Sequence, residues 1–439
     1  MQKASRDEPT ALRDAGLPHV EPPPAPSSIA ETGLDIGILV PLALKTIYFA
    51  NYMEETALGE QMALPFSVTN QLLKFLQQQQ LCEVTGGAQR SIGKYRYALT
   101  SRGVERATEA LEVSGYVGPA PVPLADYIEQ VKRQSIEYVD ISPDDIERGL
   151  EHLVLPDETR QLIGQAVTSK RATLIYGASG NGKTSAALGL AKALRDEILI
   201  PHAIEVAREI VQLYDAAAHV AVQRPPSAAV ASGVPDRRWL VIQRPTVFVA
   251  GELAATHLDL ILDQVHKTYD APVQMKANGG LLIIDDFGRQ RLDADYLLNR
   301  WVTPLERGVD HLTLHSGARF EVPFDVVPIF VSNRPPAELA DDAFLRRIRY
   351  KIEMPSPDDA LFAEILKREC ARNDVAYNDE EASYLITSYF RARSQELRGC
   401  HPRDLVEMIA DAAGYRGTER ALTHSTIDDA CARYFAEER

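Results

Sequence analysis

The segment Gly177-Ala178-Ser179-Gly180-Asn181-Gly182-Lys183-Thr184-Ser185 concentrates the residue types that hold a chain of phosphates, in the full spacing GxxxxGK[ST]. Glycines let the backbone wrap an anion, and successive N–H groups then form a nest around it. A helix that opens at Lys183 adds the partial positive charge of its N-terminus. In such a loop Lys183 reaches the β- and γ-phosphates, and the Thr184 hydroxyl goes to Mg²⁺. A second run, Gly279-Gly-Leu-Leu-Ile-Ile-Asp285-Asp286, ends four apolar residues in two acids. A buried strand delivers both carboxylates to the C-terminal edge of a sheet, where open α/β sheets bind ligands. Asp285 is then the Mg²⁺ candidate, mostly through water. Asp286 is the candidate to orient or deprotonate an attacking water.

These residues need elements to position them. Residues 172–176 read as a short apolar strand before the glycine loop, and 183–194 as the helix after it. Residues 281–285 and 326–331 are two further apolar strands without alternation, the second leading to Asn333. Continuous apolar strands belong to a sheet covered on both faces, hence an α/β fold. Lys183 and Asp285 lie roughly a hundred positions apart, and two βα units of about 30 residues each fill little more than half of that. An insert is therefore expected over about 203–278. Within it, 237–243 and 246–250 look like the strands of a hairpin; beyond it, 312–322 reads as another hairpin turning at Ser316-Gly317. From residue 356 onward the pattern is helical. Ser356-Pro357-Asp358-Asp359 repeats the capping pattern of Ser142-Pro143-Asp144-Asp145.

The 439 residues exceed one ordinary domain. Five segments are expected: a Pro-rich disordered tail over 1–32, a small α+β unit over 33–115, a linker and helical lead-in over 116–158, the α/β nucleotide-binding core over 159–354, and a helical lid over 355–439. The unit at 33–115 reads helix, helix, helix, hairpin, helix, an order that resembles the winged-helix units of bacterial regulators. Its third helix offers Asn70, Gln71, Lys74 and Gln77, and its hairpin tip offers Arg90 and Lys94. A net charge of −15 argues against a general nucleic-acid coat, which needs a basic footprint. The four cysteines form no CxxC pair and fit a reducing compartment. No early apolar run is long enough to span a bilayer, so a cytoplasmic location and no membrane partner are expected.

Taken in order, the glycine loop, Asp285-Asp286, Asn333, Arg346-Arg347 and Pro402-Arg403 resemble the AAA+ ATPases. The resemblance covers about 160–439. It implies a parallel-sheet P-loop core with a C-terminal helical lid, here preceded by the winged-helix-like unit. It makes Asn333 a first sensor that positions water against the γ-phosphate. It makes Arg346 or Arg347, after Asp341-Asp-Ala-Phe, the arginine finger given to a neighbouring subunit, and Arg403 a second sensor at the start of a lid helix. One departure is Asp286, where many members have Glu. The insert, with Lys276-Ala-Asn-Gly-Gly280 after it, is similar to those of MoxR-like and enhancer-binding members. The implied function is Mg²⁺-dependent ATP hydrolysis at subunit interfaces of a homo-oligomeric ring, hexameric by preference, that remodels a macromolecule, with an unidentified protein as partner. Two alternatives stand beside it: a nucleotide-controlled regulator or loader that binds DNA through the winged helix, and a MoxR-like chaperone.

Overall fold

The computed structural model describes residues 20, 22–87, 95–222, 234–339 and 345–435. The protein is α/β and divides into two compact units. The first comprises Met1–Gln130, Arg195–Arg244 and Leu262–Tyr269, and the second Val131–Leu194, Pro245–Ile261 and Asp270–Arg439.

The second unit is built on five parallel strands: β1 (Thr173–Tyr176), β2 (Thr246–Val249), β3 (Gly280–Ile284), β4 (Val326–Ser332) and β5 (Tyr350–Glu353). Their order across the sheet is β2-β3-β4-β1-β5, and every neighbouring pair is parallel. All residues of β3 and β4 are buried, as strands covered on both faces require. Helix α1 (Lys183–Leu190) follows the glycine loop and continues as a 3₁₀ turn, Ala191–Ala193. It packs Ala186, Ala187 and Leu190 into a core with Ile175, Ile283, Ile329 and Ile352. The order places β4 between β1 and β3, so the C-terminal ends of three consecutive strands carry Gly177, Asn333 and Asp285. The helix Pro143–Leu150 starts with the expected Ser142 cap, which Asp145 completes into a capping box. The hairpin forms as Val309–Thr313 against Arg319–Pro323, turning through Gly317 at φ +86°.

The helical segment after the sheet holds α2 (Asp359–Arg372), α3 (Cys400–Arg416) and α4 (His424–Tyr434) around Phe362, Leu366, Phe390, Leu405, Val406 and Ile427. The cap of α2 is Asp358, whose Oδ1 accepts from Leu361 N at 2.8 Å, and not Ser356. Asp caps as well as Ser, and the Ser356 hydroxyl instead donates to Glu396 Oε1 at 2.6 Å.

The first unit begins with helices Ile36–Ala50, Glu55–Gln61 and Phe66–Gln78, an antiparallel pair Cys82–Gly87 and Tyr95–Leu99, and helix Ser101–Val113. A short strand, Tyr52–Glu54, pairs with Tyr95–Leu99 and makes the sheet three-stranded. Leu39, Leu42, Ile47, Leu58, Leu72 and Leu76 form its core.

Much of the expected insert belongs to this unit. Ala203 and Ile210 join the same apolar cluster. Arg237 Nη2 donates to Gly59 O at 3.1 Å. Arg238 and Asp236, both buried, are paired at 2.8 Å, and Arg238 Nη1 donates to Thr32 O at 2.9 Å. Residues 22–32, expected as part of the tail, also make defined contacts: Pro24 bridges to Pro235, and Ala25 N donates to Val234 O at 2.8 Å. The Pro- and Gly-rich segment after residue 115 buries Tyr116, Ala120 and Val122.

The expected hairpin of 237–243 and 246–250 does not form. Trp239–Gln243 runs antiparallel to Glu197–Pro201, whereas 246–249 is β2 of the parallel sheet. Arg244-Pro245 between them makes no turn: a residue before proline is held extended, and the Arg244 guanidinium is tied to Asp196 at 2.7 Å.

Candidate functional site

The glycine loop leaves β1 at Tyr176 and enters α1 at Lys183. Gly177 has φ +142°, and a Cβ there would lie 2.4 Å from Met354 O. That carbonyl belongs to the strand-end residue whose N–H donates to Tyr176 O at 2.7 Å. Gly180, at φ +86°, has no more room: its Cβ would lie 2.5 Å from Cys400 Sγ. Ser179 and Ser185 are exposed, and Ala178 is half-buried. Lys183 is buried, and its Nζ donates to Ala178 O at 2.7 Å. Burial pulls its ammonium below the usual range, and the charges of Asp285 and Asp286 oppose that pull.

Strand β3 delivers the acids. Asp285 N donates to Val249 O at 2.8 Å, which fixes the residue against β2. Its Oδ2 accepts from Thr184 Oγ1 at 2.9 Å, joining residues 101 positions apart. Its Oδ1 accepts from Asp286 N at 2.8 Å. Asp286 is exposed and adopts φ +50°, a left-handed conformation that non-glycine residues adopt only where the surroundings hold it. The turn sends Phe287 into the core against Phe330, and Phe287 N donates to Val331 O at 2.8 Å. Asn333, one residue beyond β4, donates from Nδ2 to Asp286 Oδ1 at 3.2 Å. Thr184, Asp285, Asp286 and Asn333 thus form one continuous hydrogen-bonded row beside Lys183.

This row and the loop suit a nucleoside triphosphate with Mg²⁺. Positive-φ glycines form the cradle for phosphates. The Thr184 hydroxyl and the Asp285 carboxylate are adjacent oxygen donors of the kind a hard divalent cation takes.

The arginines divide. Arg346, Arg347 and Arg349 precede β5, whose first residue, Tyr350, pairs with Thr173, the first of β1. They therefore lie toward the opposite end of the sheet from their own glycine loop and are not brought to it. Arg347 is held by Glu306 at 2.7 Å, whereas Arg346 and Arg349 are exposed. The expected lead-in residues Asp341–Phe344 lie outside the described residues. Arg403 is in the first turn of α3 and bonds Asp404 at 2.8 Å. That bond raises its pKa.

Sequence reading missed the loop's partners in the lid. Asn181 Oδ1 accepts from Gly399 N at 3.2 Å, and its Nδ2 donates to Ser356 Oγ at 3.2 Å. Nothing in the spacing signals this, because an x position of GxxxxGK carries no side-chain requirement.

In the first unit, two of the polar side chains offered by the helix Phe66–Gln78 are already engaged. Asn70 Nδ2 donates to the buried Glu55 at 2.7 Å. Gln71 Nε2 donates to Ser27 O at 3.3 Å. Lys74 and Gln77 are exposed. Arg90 and Lys94 lie outside the described residues.

Residues 358–433 match a family described as a domain of unknown function, DUF8689. Comparison with curated proteins gave no match. Among solved structures, the chain is similar to NtrX from Brucella abortus in complex with ATP, at 14% identity and a TM-score of 0.37, over 76% of this chain and 67% of that one. It is also similar to the Thermotoga maritima RuvB Holliday junction branch migration motor, at 14% identity and a TM-score of 0.36, over 63% of this chain and 68% of that one. Among the described residues, no helix is long and apolar enough to cross a membrane.

Proposed function

We propose that the protein is an AAA+ ATPase that binds ATP with Mg²⁺ at residues 177–185 and hydrolyses it. The carrying observation is the row Thr184–Asp285–Asp286–Asn333, set by three adjacent parallel strands at the mouth of the glycine loop. The backbone of 177–183 binds the phosphates. Lys183 leaves Ala178 O for the β- and γ-phosphate oxygens. Thr184 and Asp285 would hold Mg²⁺, which would supply neutralisation of the phosphate charge. Asp286 accepts a proton from the attacking water or orients it, and Asn333 holds Asp286 and that water in line.

The remaining group, an arginine for the transition-state charge, comes in this reading from a neighbouring copy. Arg346 is exposed at the far end of its own sheet, whereas Arg347 is committed to Glu306. A homo-oligomeric ring, hexameric by preference, follows from sites completed that way. Arg403 would turn from Asp404 to the phosphates when the lid engages. A protein partner is favoured over DNA for the winged-helix-like unit, because Asn70 is engaged by Glu55 within it and Gln71 by Ser27 of the preceding segment. ATP turnover by the purified chain, abolished by Lys183→Ala with melting behaviour unchanged, is the expected result. Undiminished hydrolysis by Lys183→Ala would sink the proposal.

A further inference from the structure

Asn181 lies in a phosphate loop, yet the residue is only 8% exposed and engages the lid side of the unit. Its Oδ1 accepts from Gly399 N at 3.2 Å, at the N-terminus of α3. Its Nδ2 donates to Ser356 Oγ at 3.2 Å and faces Met354 O at 3.4 Å. Ser356 Oγ passes the connection on to Glu396 Oε1 at 2.6 Å. A backbone N–H can only donate and a carbonyl can only accept, so Gly399 and Met354 fix which way the amide points. Loop and lid are also in steric contact: a Cβ at Gly399 would lie 3.2 Å from Gly180 O. One loop side chain therefore holds the residue after β5, the lead into α2 and the start of α3.

We propose that Asn181 is a positioning residue that couples occupancy of the phosphate loop to the placement of the lid. The proposal rests on the nucleotide reading above. A phosphate in the nest draws Lys183 Nζ away from Ala178 O and reseats the backbone of 178–182. The Asn181 amide carries that movement to Gly399 and Ser356. The coupling is reciprocal: nucleotide steadies the lid, and the lid tightens nucleotide by the same factor.

The test is hydrogen–deuterium exchange across residues 396–416 of the full chain, with and without Mg²⁺·ADP, beside ADP affinity from a fluorescent analogue. The wild type is expected to gain protection there on adding ADP. Asn181→Ala and Ser356→Ala are each expected to lose that gain. Asn181→Ala is expected to weaken ADP by about tenfold, the scale of one lost hydrogen bond. The double variant is expected to be no weaker than Asn181→Ala, since the two residues act in one network. Ser356 lies outside the loop, so its variant carries the test even where Asn181→Ala folds poorly. Full ADP-dependent protection in both variants, or additive losses in the double variant, overturns the coupling alone. A wild type that binds no ADP overturns the nucleotide reading and the coupling with it.

Discussion

Replacing Gly177 by alanine puts a methyl group where the backbone of another strand already runs. The new Cβ would sit 2.4 Å from Met354 O, 3.3 Å from its carbonyl carbon and 3.4 Å from its nitrogen. These are backbone atoms and cannot swing aside. Met354 N is bonded to Tyr176 O at 2.7 Å, and Glu353 is in register with Tyr176. Relief therefore means opening the β1–β5 edge by at least one hydrogen bond, about 1 kcal/mol. The φ of +142° adds about 1–3 kcal/mol for any residue with a Cβ. The sum is about 3 kcal/mol, which for a unit of this size lowers the melting temperature by roughly 6–12 °C. The assay is thermal unfolding by circular dichroism, with Gly251→Ala as the control. Gly251 has nothing within 4 Å of its Cβ position, so its variant should change stability by no more than about 0.5 kcal/mol. ADP affinity should fall in Gly177→Ala and not in the control. A Gly177→Ala protein melting within about 2 °C of wild type would refute the steric argument.

Asn333→Ala should lower kcat by roughly a hundredfold with KM little changed, because in the proposed site its bond to Asp286 serves the reacting water rather than ground-state binding; steady-state ATPase assays decide this. Arg346→Ala should lose turnover by about 10³-fold, and mixing it with Lys183→Ala subunits should restore part of the activity. Arg347→Ala, which breaks a half-exposed pair with Glu306, should cost less than about 1 kcal/mol and keep most turnover. His401 is buried, and burial with the nearby Arg398 charge holds its pKa down to about 4 from 6.5. The unfolded chain therefore takes up a proton that the folded lid refuses. Stability present above pH 6.5 should be lost as pH falls toward 4, by on the order of 3 kcal/mol. Melting at pH 7 and pH 4.5 should show a shallower acid loss in His401→Phe. Arg238→Met strands the buried Asp236 carboxylate and should destabilise the first unit by about 3–5 kcal/mol in denaturant unfolding.

The candidate site was legible where it is written contiguously. A phosphate nest is made from consecutive backbone N–H groups, so its glycines and Lys183 stand together in the chain. A strand buried on both faces must be apolar throughout, so 281–285 and 326–331 read as strands within a residue of the observed Gly280–Ile284 and Val326–Ser332, and their ends located Asp285 and Asn333. The break at Arg244-Pro245 was not legible. Two apolar runs separated by two residues look like a hairpin, and only their pairing partners, Glu197–Pro201 and β3, assign them to different sheets.

By itself the sequence determined the glycine loop, the two strand-end acids and the α/β class, because each depends on residue type and short-range spacing. The tertiary structure alone decided that Thr184 meets Asp285, that Asn333 meets Asp286, that Arg347 is tied down while Arg346 is free to face outward, and that Asn181 holds the lid. Those facts depend on strand order and burial, which bring together groups separated by 47, 101 or 218 positions. No local pattern encodes a contact whose two halves are specified so far apart.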